Sequence, residues 1–478
     1  MANGDNITPM VERREDPIEL TIEDQMDIAA PNAMERMPSE GMDIEIIEDE
    51  DGGVLIDFDP SMRDIDEGDF SRNLAEEMDT GFLGSIANNL MGEYDSNKAS
   101  RQDWEDAYRN GLDLLGFTYE ERTLPFRGST GVTHPLLAEA ATQFQAQAFN
   151  ELLPPDGPVR TSILGAPTKE KEQQARRVKE FMNYYITNVM EEYTPDFDQM
   201  LFFLPLAGST FKKVYFDEAL NRAVSKFVPA EHLVVPYETS SLESCPCITH
   251  VLSMPLNQLR KLQVSGFYLD VPVLPGQNTS SELEDEQDHI QGMHASNIDY
   301  DVTLLEFHVE LDLEGFEDLD EEGEETGIKL PYIVTVVENS GTVLSVRRNY
   351  AEDDEDRKKV QYFVHYKFLP GFGFYGLGLI HTIGGLSRTA TAALRQLIDA
   401  GTLSNLPAGF KARGMRIRDD SEPLQPGEFR DVDAPGGAIR ESLMPLPFKG
   451  PDTVLFQLLG FVVDAGKRFG AITDLKVG

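Results

Sequence analysis

The chain has few of the residues that commit a protein to redox chemistry or to a membrane. Its 478 residues include two cysteines and one tryptophan, and no run of about 18 apolar residues occurs. Cys245 and Cys247 are one residue apart, so a disulfide between them would be strained. The first residues also lack the basic and apolar regions of a secretory signal. We therefore expect a protein of a reducing compartment with no membrane partner.

Positive charge is also scarce. The chain has 84 acidic residues against 41 lysines and arginines, a net charge of −43, which argues against a protein whose average surface grips a phosphate backbone. Residues 1–80 alone carry 25 acidic residues against five arginines. Because such a charge density opposes burial, the sequence predicts a mostly disordered acidic arm over 1–80.

The motifs that mark catalytic or metal sites are incomplete. The segment Gly128–Gly131 lacks the lysine of a phosphate-binding loop, and neither a G-x-S-x-G nor an H-E-x-x-H pattern occurs. Cys245, Cys247 and His250 offer three soft ligands where structural zinc takes four. The acid-rich segment Asp312–Glu325 does not follow the calcium-loop order, which favours a solvated charge run. We expect no enzyme, no metal and no cofactor.

One glycine pattern keeps an alternative open. Gly371–Gly376 has the G-x-G-x-x-G spacing of a dinucleotide loop and stands between a predicted strand and a predicted helix. The acid that should end a second strand is missing, because the nearest one, Asp399, lies inside the helix. A nicotinamide-dependent enzyme built on this loop is therefore an alternative, and a monomeric scaffold or adaptor protein is another.

Hydrophobic spacing divides the rest of the chain into two kinds of structure. The front half is predicted to be helical, with helices starting at Ser100, at His134–Pro135 and at Thr168, and a short one around Phe202. Strand-like runs follow at Thr210–Phe216, Ala223–Val228, His232–Pro236, Thr249–Met254, Val302–Leu311, Pro331–Glu338, Thr342–Arg348 and Val360–Phe368. Separate helical and strand runs predict an α+β fold, with solvated acidic loops at Gly276–Asn297 and Asp312–Thr326.

Two long helices are predicted near the end of the chain. The first has an apolar stripe at steps of three and four residues, formed by Leu379, Ile383, Leu386, Ala390, Leu394 and Leu397. The second starts after Gly450-Pro451-Asp452 and closes at Gly470, with Leu455, Leu458 and Val462 on its inward face. The turn-rich insert between them is predicted to form a small β structure. A narrow stripe beside small residues favours packing between copies of the chain.

This order of helix, β insert and helix resembles the stem, clip and stem of the portal proteins of tailed bacteriophages, closest to those of short-tailed phages. Three segments carry the likeness, namely Gly208–Asp217 (GSTFKKVYFD), Phe374–His381 (FYGLGLIH) and Pro426–Arg430 (PGEFR). The resemblance runs from about Trp104 to the end. It implies a portal fold with an α/β wing over 81–375, stem helices over 376–403 and 451–470, a clip over 404–450 and the start of a tunnel loop over 471–478.

The resemblance also implies a function and a set of contacts. A portal is a dodecameric ring at one capsid vertex of the virion, assembled in the host cytoplasm, through which double-stranded DNA is packaged and ejected. Its partners are the major capsid protein, the terminase large subunit and the head-tail adaptor, and it performs no catalysis itself. By the resemblance, portals continue past the second stem helix into a tunnel loop, a long wing helix and often a crown, whereas the given sequence stops at Gly478.

Site residues follow from this resemblance and from the charges. A basic island on the predicted clip is expected to dock the terminase or adaptor, and it consists of Lys411, Arg413, Arg416, Arg418 and Arg430. The stripe residues of the two stem helices are expected to pack between subunits. Lys467 and Arg468 are expected to complement the end of the second helix and are possible contacts for DNA in the channel.

Overall fold

In the computed structural model of the chain, the described residues are 70–217, 220–274, 281–293, 301–318, 325–354, 356–405 and 446–469, and the last helix continues to 474 as backbone. The backbone of six short strands is described as well, at Glu45–Glu48, Val54–Asp57, Gly409–Lys411, Arg416–Ile417, Val432–Asp433 and Leu443–Pro445. The chain divides into two compact units, residues 1–69 and 70–478.

The first unit is described only as one antiparallel hairpin, β1 (Glu45–Glu48) with β2 (Val54–Asp57). The rest of the predicted acidic arm up to residue 69 lies outside the described residues. The predicted end of the acidic arm at residue 80 is corrected, because the second compact unit already begins at residue 70. The Asn73 amide there donates to Leu344 O and accepts from Val346 N, and Leu74 beside it is fully buried.

The front half is helical, as predicted. The helices are α1 (Thr80–Ser100), α2 (Gln102–Leu112), α3 (Leu136–Leu152), α4 (Lys169–Tyr184) and α5 (Tyr193–Ala207). Thr168 caps α4 by accepting from Lys171 N, which confirms that prediction. The prediction at Ser100 was wrong. This residue ends α1, and its hydroxyl donates to Asn97 O instead of capping the next helix.

Eight of the strands form two antiparallel sheets, so the chain is α+β. Their bounds are β3 (Ser209–Asp217), β4 (Arg222–Pro229), β5 (Leu233–Val234), β6 (Cys247–Pro255), β7 (Asp301–Leu311), β8 (Leu330–Val337), β9 (Thr342–Arg348) and β10 (Phe363–Lys367). One sheet has the order β10-β3-β4, and the other is the five-stranded β5-β6-β7-β8-β9. All eight predicted strands are present, although β5 and β10 are shorter than expected.

Two more helices lie between β6 and β7 in the chain, α6 (Leu256–Val264) and α7 (Glu282–Gln291). Helix α7 corrects the prediction of an unstructured loop over Gly276–Asn297. Ser281 and Glu284 form a reciprocal capping box at its start, and Leu283 is buried in the core. In the second acidic loop Leu313 is buried, so that segment is anchored at its start.

The end of the chain contains α8 (Leu379–Asn405) and α9 (Thr453–Asp474), which pack against each other. The insert between them is described by four short strands, β11 (Gly409–Lys411), β12 (Arg416–Ile417), β13 (Val432–Asp433) and β14 (Leu443–Pro445). They pair antiparallel as β11 with β14 and β12 with β13. The predicted small β insert between two long helices is therefore present.

A buried arginine joins the helical half to the start of α8. Arg101 donates to the carbonyl oxygens of Ala230, Glu231 and Leu233 and to the Tyr375 hydroxyl, at 2.6 to 3.1 Å. Tyr375 in turn stacks on Trp104 with ring centroids 4.7 Å apart. The N-terminal end of α8 is thus fixed in the core of the folded unit.

Candidate functional site

The α8–α9 pair holds most of the predicted site residues, and the structure divides them into two groups. Leu379, Ile383 and Ala390 are buried inside the single chain, so their assignment to contacts between subunits is corrected. They pack in the core because α2, α3 and α5 contact α8. Val462 is also buried within the chain. Leu386, Leu394, Leu397 and Leu455 are half-buried. Leu458 is exposed, so its predicted place on the inward face of α9 is corrected. The prediction of these five leucines as subunit contacts stays open.

Helix α9 carries a second apolar stripe that nothing in the described chain covers. Val454, Leu458, Phe461 and Phe469 fall on one side of the helix at steps of three, four and eight residues. Their exposed fractions are 71, 45, 72 and 40 %. The inner side of α9 faces α8 and α3. Gly466 lies so close to the Leu136 side chain of α3 that an added Cβ would come within 2.6 Å of it. The apolar surface of α9 is thus wider than the part that α8 and α3 of the same chain cover.

The two basic residues at the end of α9 differ in their surroundings. Lys467 Nζ is 2.8 Å from Glu139 Oε1 on α3, so this lysine ties two helices of the chain together. Both side chains of this pair are half exposed, so the pair leaves open whether Lys467 also contacts DNA, which stays a prediction. Arg468 is exposed, and its predicted contact with DNA stays a prediction.

The basic island of the clip is described only in part. Lys411 lies on β11 opposite Leu443, and Arg416 lies on β12 opposite Asp433. Arg413, Arg418 and Arg430 lie outside the described residues. The expected docking role of the island is therefore a prediction that the described backbone leaves open.

A cleft of about 970 Å³ opens beside α8. Its walls are the segment 118–126, the C-terminal end of α2, His289 of α7 and one side of α8. Arg395 fastens this segment to the helix, because its guanidinium is 2.9 Å from Glu120 Oε2 and donates to Val132 O at 2.8 Å. Asp399 accepts from Thr130 N at 2.8 Å. These contacts make the cleft a built feature of the folded chain.

No pattern in the sequence predicts this cleft. Arg388 and Arg395 stand seven residues apart on α8, which places them on one side of the helix. Arg388 is exposed in the cleft and has no ion-pair partner among the described residues. The sequence could have marked the two arginines as one face, but only the fold brings the segment 118–126 to that face.

The glycine loop before α8 does not have the surroundings of a dinucleotide site, and the nicotinamide alternative is corrected here. Strand β10 before it runs antiparallel to β3, whereas a Rossmann unit needs parallel strands. A methyl group on Gly371 or Gly376 would overlap main-chain oxygens of Tyr375 and Gly208, and one on Gly373 would lie 2.7 Å from the Tyr237 ring. These glycines let the chain pack tightly against itself.

A buried polar cluster joins the two sheets. Lys213 Nζ on β3 donates to both oxygens of Glu306 on β7, at 2.6 and 2.8 Å. His308 Nε2 is 2.7 Å from Glu306 Oε1, and His250 Nδ1 on β6 is 3.8 Å from the same atom. Burial alone would raise the pKa of Glu306, but Lys213 and the two histidines hold it well below its usual range. Burial lowers the pKa of His250 from 6.5 to about 4 and also lowers that of His308.

His250, which the sequence suggested as a metal ligand together with Cys245 and Cys247, belongs to this cluster instead. Cys245 and Cys247 are both free and buried, and Cys245 Sγ donates to Cys247 O at 3.0 Å. Burial raises the pKa of both thiols. His250 faces Glu306 instead. Within the described residues no group of three or more histidine, cysteine, aspartate or glutamate side chains is arranged to hold a metal.

Two further observations bear on the function. In the part of the chain that the structure describes, no helix is both long and apolar enough to cross a bilayer. No family model matches the chain, and no curated protein matches it either.

Proposed function

We propose that the chain is the subunit of a portal, a ring at one vertex of a tailed-bacteriophage capsid through which double-stranded DNA enters and leaves. Support comes from the sequence resemblance and from the order of elements at the end of the chain. A 27-residue helix and a 22-residue helix bracket a small β insert. In this proposal α8 and α9 are the stem, the insert is the clip, and the α+β unit before them is the wing.

The observation that carries the proposal is the uncovered stripe on α9. Isolated apolar residues on a surface need no explanation, but four on one helix side form a patch that a monomer would leave in water. A neighbouring copy in a ring would cover it. By the resemblance the ring has twelve copies and belongs to the virion, after assembly in the host cytoplasm.

Charge fits a channel as well. A net charge of −43 per chain repels a DNA duplex, so DNA would pass such a ring without adhering to its average surface. The ring would supply a passage and a docking surface for terminase, adaptor and capsid protein. Catalysis would belong to the terminase.

Light scattering on the full chain tests this proposal. A portal gives a particle of about twelve times the 53.4 kDa chain mass. Phe461→Ser should lower the particle mass, because it removes apolar area that the ring buries. The control is Leu164→Ser, since Leu164 is 91 % exposed on the segment between α3 and α4. A wild-type chain that stays at 53.4 kDa at every concentration contradicts the proposal.

A further inference from the structure

Two surfaces of the folded chain differ in shape. The first is the cleft beside α8, where Ala392 and Ala400 keep the helix side shallow and the charged side chains are of both signs. Arg122 and Arg395 of the cleft pair with Glu120, whereas Arg388 stands exposed with no ion-pair partner among the described residues. The second is the outer stripe of α9, where Phe461 stands out as a bulky apolar group. Asp464 follows Phe461 by three residues, so it borders the stripe. Among the described residues Asp464 is exposed and has no ion-pair partner.

The chain's own α9 does not fill its own cleft. None of the residues that line the cleft belongs to α9. A Cβ on Gly401 of α8 would lie 3.7 Å from Pro451, just before α9, so the start of α9 lies near Gly401. Gly401 does not line the cleft. An α9 that reaches the cleft must therefore come from a second copy of the chain.

We infer that the outer stripe of α9 in one copy packs into the α8 cleft of the next copy, with Asp464 paired to Arg388 of its neighbour. Two different surfaces that meet give a head-to-tail contact, which repeats from copy to copy and closes into a ring when the rotation allows it. Large side chains over alanines also permit two helices to approach closely. The inference rests on the proposed function, because it names the contact by which the ring would form.

The charge pair provides a test that separates the contact from the fold. Both groups are exposed in the single chain, so reversing either one leaves the monomer folded. Like charges opposed across an interface cost association, and opposite charges restore it. The variants are Arg388→Glu, Asp464→Arg and the double variant, and Arg177→Glu on exposed α4 is the matched control.

Sedimentation of each full-chain variant at low salt measures the concentration at which rings form. Each single variant should need about tenfold more protein than the wild type. The double variant should return to the wild-type concentration, and Arg177→Glu should not change it. If the wild type forms rings but the double variant assembles no better than the single ones, this contact is wrong while the portal proposal stands. A wild type without rings overturns the proposed function, and this contact with it.

Discussion

Acid should weaken the joint between the two sheets, because the buried cluster around Glu306 holds its histidines neutral. The pKa of His250 is lowered from 6.5 to about 4 in the folded chain, mainly by burial. Between these two values the unfolded chain binds a proton that the folded chain does not. The contribution of His250 to stability is therefore complete above pH 6.5 and is lost as the pH falls toward 4.

The size of the effect follows from the same two values. Each unit of pKa difference corresponds to about 1.4 kcal/mol. Integrated from pH 7 to pH 5, the shift of His250 costs about 2 kcal/mol of unfolding free energy. His308 is also buried beside Glu306 with a lowered pKa, so it acts in the same direction. Glu306 stays charged through this range because its pKa lies well below its usual value.

The assay compares wild type with His250→Gln, which removes the titrating group but keeps a polar side chain. Urea unfolding is followed by the fluorescence of Trp104, the single tryptophan, with the assembly state checked at both pH values. From pH 7 to pH 5 the wild type should lose about 2 kcal/mol more than the variant. His289→Gln, on the exposed side of α7, is the control and should follow the wild type. Equal losses in wild type and His250→Gln would show that protonation of His250 does not destabilise the folded chain.

Three further predictions concern the core, the glycine corner and the clip. Arg101→Met should cost on the order of 3 kcal/mol of unfolding free energy, because it leaves buried carbonyl groups without donors. Arg109→Met on α2, where the ion pairs with Asp106 and Glu282 are partly exposed, should cost less than about 1 kcal/mol in the same urea assay. Gly376→Ala should lower the unfolding free energy by about 1–3 kcal/mol, because the added methyl group would overlap Gly208 O. Gly385→Ala, which has open space around it, should raise the unfolding free energy by about 0.5–1 kcal/mol. Thermal unfolding of both variants measures this, and equal shifts of the unfolding temperature would contradict tight packing at Gly376. The double variant Arg416→Glu, Arg418→Glu should slow association with terminase or adaptor at low salt and leave ring formation unchanged. Surface binding measures the association rate, and light scattering measures ring formation. An unchanged association rate would argue against docking at the basic island of the clip.

Local patterns predicted the elements well where one local cause dominates. The strand segments either alternate apolar and polar residues or are continuously apolar. Pro135 marks a helix start through its fixed backbone geometry, and Thr168 marks one through its side-chain cap. Ser100 misled because a serine also fits the last turn of a helix, where its hydroxyl bonds back to Asn97 O. The capping box at Ser281 and Glu284 was readable, but the acidic composition around it hid the helix.

The site was less predictable because it depends on contacts between distant segments. The α8 stripe identified an apolar face, but not whether its partner is the same chain or another one. Leu379 and Ile383 turned out to pack within the chain. The cleft exists only because Glu120 and Thr130 are fastened to Arg395 and Asp399. Such pairings carry no periodic signal in the sequence.

Electron microscopy of the assembled full chain would show whether it forms a portal ring. We predict closed rings in which α8 and α9 surround a central opening wide enough for a DNA duplex, with the α9 stripe covered by a neighbour. A monomer, or a ring that turns the α8–α9 pair outward and leaves Phe461 in solvent, would contradict it.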